Sequence, residues 1–295
     1  MSVEFSIKDL ENICGIKAHT IRMWEKRYLL LTPNRTDTNI RTYDMENLKK
    51  LLNVSFLVNC GYKISRIAKL NDSELEEYLT SVVSDQTVVD KTFNSLKLSM
   101  LNFNATIFNN AFNEASERFS FNEIFNNIWV PFLNEIGMLW QSGTINSTHE
   151  HFITQLIKQK ISCNIEHLQN TTPTKEKIFV LFLPSGESSD LALLFLHNLL
   201  LDYGFKTVYL GANVSTANLL DISKIEKNIV FLSYFTVSPN KENVLEYVTN
   251  FKEQICLNND HEFWMMGRIT KETPIPIDMS TKVIDSFEDF EKLIS

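Results

Sequence analysis

His19-Thr20-Ile21-Arg22-Met23-Trp24-Glu25-Lys26-Arg27-Tyr28, followed by Arg35, Arg41 and Tyr43, decides the reading of this chain. Upstream, Ser6 and Asp9 form a helix-capping signal, Leu10 and Ile13 give a short apolar helix face, and Cys14-Gly15-Ile16 supplies a tight turn. Helix, turn and helix fit within about thirty residues, the size of a helix-turn-helix whose second helix enters a major groove. The arginines behind it read as a basic wing. Trp24 and Tyr28, four residues apart on a short helix, read as core.

Charge follows the same division. The first 71 residues carry 12 Lys and Arg against 7 Asp and Glu, a net of +5 in a chain of −8, so the rest holds −13. Phosphate neutralisation requires a locally basic face, and an acidic remainder is repelled by DNA. The head therefore faces nucleic acid and the larger part has another task. His19 and Arg22, at the exposed start of the recognition helix, are the candidates for base edges, with Lys17 and Thr20 beside them. Arg35, Asn39, Arg41 and Lys63 are placed for phosphates, and Lys26 and Tyr43 complete the candidate DNA-binding set. Scattered Lys and Arg also read simply as a solvated face.

These residues resemble the MerR family of bacterial transcription regulators over about the first seventy positions. The pattern includes Trp24-Glu25-Lys26-Arg27-Tyr28, Pro33-Asn34-Arg35 entering the wing, Arg41-Thr42-Tyr43 leaving it, and the turn Gly61-Tyr62-Lys63-Ile64. Asp44 then caps a helix whose Leu48, Leu51, Leu52 and Phe56 form one apolar stripe.

The 295 residues suffice for two or three domains. No apolar run of about eighteen residues and no signal pattern occur, so no membrane partner and a bacterial cytoplasmic location are expected. Cys14, Cys60, Cys163 and Cys256 are dispersed, which indicates buried thiols rather than a zinc site or disulfides. Residues 73–172 read as a helical bundle, in which Ser73 with Glu76 opens one helix and further helices run Phe93 to Phe103, Thr106 to Glu117, Phe121 to Trp140 and Ser147 to Gln169. Phe108, Phe112, Phe119, Phe121, Phe125 and Phe132 are mostly core. From Ile178 the period changes. Ile178 to Leu183, Lys206 to Leu210, Ile229 to Tyr234, Phe263 to Met266 and Lys282 to Asp285 read as strands alternating with helices. The expected fold is thus α+β multidomain: a winged helix-turn-helix (1–72), a helical bundle (73–172) and an α/β doubly wound, Rossmann-like parallel five-stranded sheet (173–295). Ligands of such a sheet bind at the carboxyl ends of the strands.

A bundle followed by this sheet resembles the cobalamin-binding module of B12-dependent methyltransferases and of the light-sensing CarH and LitR type regulators. With the MerR-like head, that resemblance spans nearly the whole chain. Trp140, followed after nine residues by Glu150-His151, matches the pair that caps the adenosyl face of the cofactor in that family. Leu210-Gly211-Ala212-Asn213-Val214 matches the loop after the second strand, and Ser233 matches a small hydroxyl beside the buried nucleotide tail. Trp140 also reads as plain bundle core, His151 as a first-turn polar residue, and Ser147 with Glu150 as a capping box. The departures fall on the cobalt. After Glu187, Ser189 replaces the cobalt-ligating histidine and Ala192 replaces a glycine. Gln141 stands where the light-adduct histidine follows the tryptophan, and a lone Gly267 follows Met265 and Met266.

The expectation is a DNA-binding regulator, a repressor, whose C-terminal module is a divergent B12-type sensor or oligomerisation unit without His ligation of adenosylcobalamin. Double-stranded operator DNA, a homodimer or homotetramer and an antirepressor protein are its expected partners. A cobalamin-responsive regulator with non-standard ligands and a protein-docking platform stay open. A cobalamin methyltransferase or mutase component would need the cobalt histidine or a partner catalytic domain, neither of which the sequence offers, and it would leave the basic head unexplained. A phospho-receiver lacks strand-end carboxylates, since the first and third strands end in Leu183-Pro184-Ser185 and Ser233-Tyr234.

Overall fold

A computed structural model describes residues 4–81, 84–225, 228–257 and 260–295. The chain divides into two compact units, Met1–Leu156 and Ile157–Ser295.

In the first unit, α1 (Ile7–Cys14) begins with the expected capping box, in which the Asp9 amide donates to Ser6 Oγ and the Ser6 amide to Asp9. It ends at Gly15, whose φ of 72° is the left-handed conformation that turns the chain into α2 (Ala18–Tyr28). Ile21 and Trp24 of α2 are buried against this corner. The wing is the antiparallel pair β1 (Asn34–Arg35) and β2 (Arg41–Thr42), with Arg35 opposite Arg41. Asp44 caps α3 (Met45–Asn59) through the Asn47 amide, and Leu48, Leu51, Leu52 and Phe56 are buried. Next come α4 (Ile64–Ile67) and α5 (Asp72–Ser81). The α5 cap is Asn71 with Glu74, which exchange backbone-to-side-chain bonds of 2.8 and 2.9 Å, so the start expected from Ser73 and Glu76 moves forward two residues.

The helices α6 (Asp85–Asn102), α7 (Ala105–Ser116), α8 (Phe121–Ile124), α9 (Val130–Gln141) and α10 (Ser147–Leu168) follow. The first starts eight residues before the expected Phe93, because Ser84 and Thr87 form a capping box. Between α8 and α9 the backbone widens into a π-turn, Phe125–Trp129. Pro131 lacks the amide that would bond residue 127 and its ring crowds that carbonyl, which is the physical reason for the widening. The turn presents Trp129 to the rings of Phe108, Phe112, Phe121 and Phe125, 5.6–6.3 Å away. Trp140 is 54% exposed and is not core. Lys97 of α6 is buried and joins head to bundle: its ammonium donates to Ile13 O at 2.9 Å, in the last turn of α1, and pairs with Glu135 at 2.7 Å.

The second unit is a five-stranded parallel sheet in the order β4-β3-β5-β6-β7. The elements are β3 (Ile178–Pro184), α11 (Leu191–Asp202), β4 (Lys206–Val214), α12 (Thr216–Ile225), β5 (Ile229–Tyr234), α13 (Val244–Phe251), β6 (Glu262–Met266), α14 (Arg268–Glu272), β7 (Thr281–Val283) and α15 (Phe287–Ile294). Strand β3, flanked by β4 and β5, is buried throughout. Phe179, Leu181 and Leu183 pack with α11 and α15, while Val180 and Phe182 pack with α12 and α13, so helices cover both faces. The run expected as a loop after the second strand is instead the end of β4. Gly211 and Asn213, with φ of 76° and 65°, absorb register shifts against β3 that let the strand continue to Val214.

The thiols divide by exposure. Cys256 is buried, Cys14 and Cys60 are half-buried, and Cys163 is exposed, which corrects the expectation that all four are buried. Burial pushes Cys14 and Cys256 up to about 12.

Two stability outcomes are expected. Gly267 has φ +113°, and an added Cβ would lie 2.4 Å from Phe235 O and 2.7 Å from Phe235 N. Gly267→Ala should therefore cost about 3 kcal/mol or more in denaturant titrations. His197 is buried in α11 with its ring stacked on Tyr209 at 5.0 Å, and burial lowers its pKa from 6.5 to about 4. The unfolded chain then binds the proton more readily, so this contribution is present above pH 6.5 and fades as pH falls toward 4. Stability should drop about 2 kcal/mol from pH 7 to 5, and His197→Phe should flatten that slope.

Candidate functional site

The head presents its candidate residues as expected in part. Lys17, His19, Arg22 and Lys26 are exposed, and Thr20 is half-buried with its hydroxyl 3.3 Å from His19 Nε2. Along α2, His19, Arg22 and Lys26 lie opposite the buried Ile21 and Trp24, so the helix core and its polar stripe are separate faces of one element. Arg35 is exposed on the wing, where its guanidinium donates to Asn39 Oδ1 at 2.5 Å. Asn39 holds φ 63°, a left-handed turn residue that reverses the wing hairpin. Lys63 is exposed at the start of α4.

Glu25 organises this face. Its carboxylate accepts from Arg41 Nε at 3.0 Å on one oxygen and from the Tyr43 hydroxyl at 2.9 Å on the other. The Glu25 bond keeps Arg41 fully protonated by raising its pKa further. Tyr43 is wholly buried, and its backbone pairs with Phe5. In this conformation it offers no surface to DNA, and it acts on the face by holding Glu25. The geometry leaves Arg41 half-buried, its Nε occupied by Glu25. A hollow of about 620 Å³ between α2 and the wing is lined by Arg22, Lys26, Pro33 and Arg41.

In the bundle, Glu150 and His151 are exposed on the first turn of α10 and Trp140 is exposed at the end of α9. The α10 cap is Asn146 with His149, whose Nδ1 lies 2.8 Å from Asn146 Oδ1, so Ser147 and Glu150 do not form the capping box their spacing allows. His149 also stacks on Phe103 at 4.8 Å.

In the second unit, Glu187 is buried at the carboxyl end of β3, where the sheet order reverses between β3 and β5. One of its oxygens accepts from the amides of Thr236, Val237 and Ser238 at 2.8, 2.6 and 3.2 Å, and the other from those of Ser188 and Ser189 at 3.2 and 3.3 Å. Burial raises its pKa, but the amides of Val237, Ser238 and Thr236 outweigh this and hold the carboxyl below its ordinary range. Ser189 itself is exposed. Asn213 Oδ1 accepts from the Gly186 amide at 3.0 Å, tying Gly211 and Val214 of β4 to the same loop. Ser233 is buried and donates to Phe182 O at 2.9 Å, and Gly267 lies against the Phe235 backbone. Met265 and Met266 fill the cores on opposite faces of the sheet. The buried histidines sit at the other edge: His197 lies 3.0 Å from Thr207 near the start of β4, and His261 precedes β6. Among the described residues, no group of three or more His, Cys, Asp and Glu could hold a metal ion.

Comparison with known proteins agrees with this division. Residues 5–74 match the MerR HTH family regulatory protein model, and residues 92–163 match the B12 binding domain model. The chain thus joins a MerR-type helix-turn-helix head to a B12-binding-type helical segment, the arrangement of a CarH-type MerR regulator. It is 24% identical over 163 residues to the HTH-type transcriptional repressor CarH of Myxococcus xanthus, covering 53% of this chain and 54% of that protein. It is 27% identical over 73 residues to the HTH-type transcriptional regulator MlrA of Salmonella typhimurium, 25% of this chain and 30% of that one. The chain therefore spans about half the length of the first relative and less than a third of the second. In fold it is similar to the Methanosarcina barkeri monomethylamine corrinoid protein, with a TM-score of 0.57, 13% identity, and coverage of 71% of this chain and 98% of that structure.

Sequence reasoning assigned no role to Glu25, Lys97 or Glu135. The signal available was a carboxylate inside an otherwise basic helix and a lysine in an apolar stripe. Glu187→Ala removes the acceptor of five backbone amides at once, so it should destabilise the chain by about 2 kcal/mol in urea titrations, with Glu187→Gln milder because one side-chain oxygen still accepts.

Proposed function

We propose that this chain is a non-enzymatic, DNA-binding transcriptional regulator of the bacterial cytoplasm. In this reading, the head grips double-stranded operator DNA and the remainder acts as a sensor or assembly module. The observation that carries it is the outward stripe of α2, where His19, Arg22 and Lys26 stand exposed beside a wing bearing Arg35. Arg22 and His19 read base edges, while Lys26, Arg35, Arg41 and Lys63 contact phosphates. No helix among the described residues is long and apolar enough to cross a membrane. The division 1–72, 73–172 and 173–295 is kept as the functional one. Repression by covering a promoter, from a dimer or tetramer on an inverted repeat, is the favoured mode, supported by similarity to a repressor. An antirepressor is a further proposed partner.

The carboxyl edge of the sheet does not fit cobalamin held through a protein histidine with a buried nucleotide tail. Ser189 offers a neutral hydroxyl to cobalt, Ser233 already bonds Phe182 O, and Gly267 is closed against Phe235. Trp140, Glu150 and His151 are exposed and keep the spacing of an upper cap, which supports a small-molecule or cofactor role distinct from cobalt ligation.

Arg22→Ala should change the sequences enriched from random duplex DNA, whereas Lys63→Ala should weaken binding to all of them evenly and lower the salt slope by about one. Unchanged preference in the Arg22 variant would remove it from base reading. Mixed with adenosylcobalamin in the dark, the protein should elute without the spectrum of a histidine-ligated cofactor. Co-elution with a light-dependent change in size would overturn that part of the reading.

A further inference from the structure

Met23 is 47% exposed in the middle of α2. At about 100° per residue it shares one side of the helix with His19, Arg22 and Lys26, all exposed, directly across from the buried Ile21 and Trp24. Two of those neighbours, Arg22 and Lys26, line the hollow between the helix and the wing. A stripe built for phosphates and base edges thus carries one apolar side chain at its centre. Nothing within the helix requires it there, because the packed face is already filled by Ile21 and Trp24.

The major groove displays donors and acceptors from every base pair but only one apolar group, the C5 methyl of thymine. A thioether on three rotatable bonds reaches and adapts to such a methyl, while its neighbours on the stripe bond the adjoining edges. We infer that Met23 is a specificity-determining residue that reads a thymine methyl in the operator. The inference rests on the DNA-binding reading and adds a base identity to it.

The test removes the methyl and nothing else. The full-length chain is first used to enrich duplexes from random DNA, and each thymine of the enriched site is then replaced in turn by uracil. Wild-type affinity should fall about fourfold at one position per half-site, the loss expected for a single buried methyl. Met23→Ala should bind the thymine duplex that much more weakly and show no further loss with uracil. Met23→Gln, which keeps length and helix preference, serves as a second variant, with thermal melting to confirm the fold.

No loss at any uracil position, with enrichment intact, overturns the methyl contact and leaves DNA binding standing. Equal loss in wild type and in both variants assigns the methyl to another side chain and also overturns it. Failure to enrich any sequence overturns the DNA-binding reading, and the inference falls with it.

Discussion

One carboxylate, Glu25, fixes the shape of the helix-turn-helix face. Two short strands joined by a hairpin hold little structure on their own, and a wing of this size has no core. Glu25 supplies the missing constraint by accepting from Arg41 of the wing and from Tyr43 just beyond it, while itself rooted in the recognition helix. The buried Tyr43 ring and its backbone pairing with Phe5 then anchor the wing to the start of the chain. A charge-assisted pair of this kind, half shielded from water, is worth more than a solvated surface bridge. It also explains why a negative residue sits inside a basic helix: it aligns the cations around it at the expense of one unit of local charge.

The same device recurs in the second unit with a different partner set. Glu187 meets five backbone amides instead of side chains, and it ties the loop after β3 to the loop after β5 where the sheet order reverses. Doubly wound sheets ordinarily leave that crevice to a ligand. Here Glu187 accepts the amides of both loops, Ser233 bonds Phe182 O, and Gly267 lies against the Phe235 backbone.

The elements most legible in the sequence were those specified locally. Ser6 with Asp9, Gly15 and Asp44 mark helix ends through side chains three residues away or through a left-handed backbone, so reading them required no tertiary structure. The buried strands were legible from their Val, Ile and Phe runs. The misplacements share one cause, competition between equally plausible local signals. Asn71 and Asn146 displaced the caps expected at Ser73 and Ser147, and Gly211 with Asn213 extended a strand where turn residues suggested a loop. The exposed stripe of α2 was visible as residue types. The roles of Glu25, Tyr43, Lys97 and Glu187 were not, because each depends on partners 16 to 84 residues distant.

Lys97 has a mechanical meaning as well. Its ammonium grips the last turn of the first helix of the head from within the bundle, and Asn12 adds a second bond to Thr144. A head fastened in this way does not swing on a linker, and its bearing is inherited from the helices behind it. In any symmetric assembly, the distance and angle between two heads would be set by how bundles pair and not by a length of flexible chain. A repacking of a few ångströms within the bundle would carry α1 and α2 with it, as a lever moves about its fulcrum.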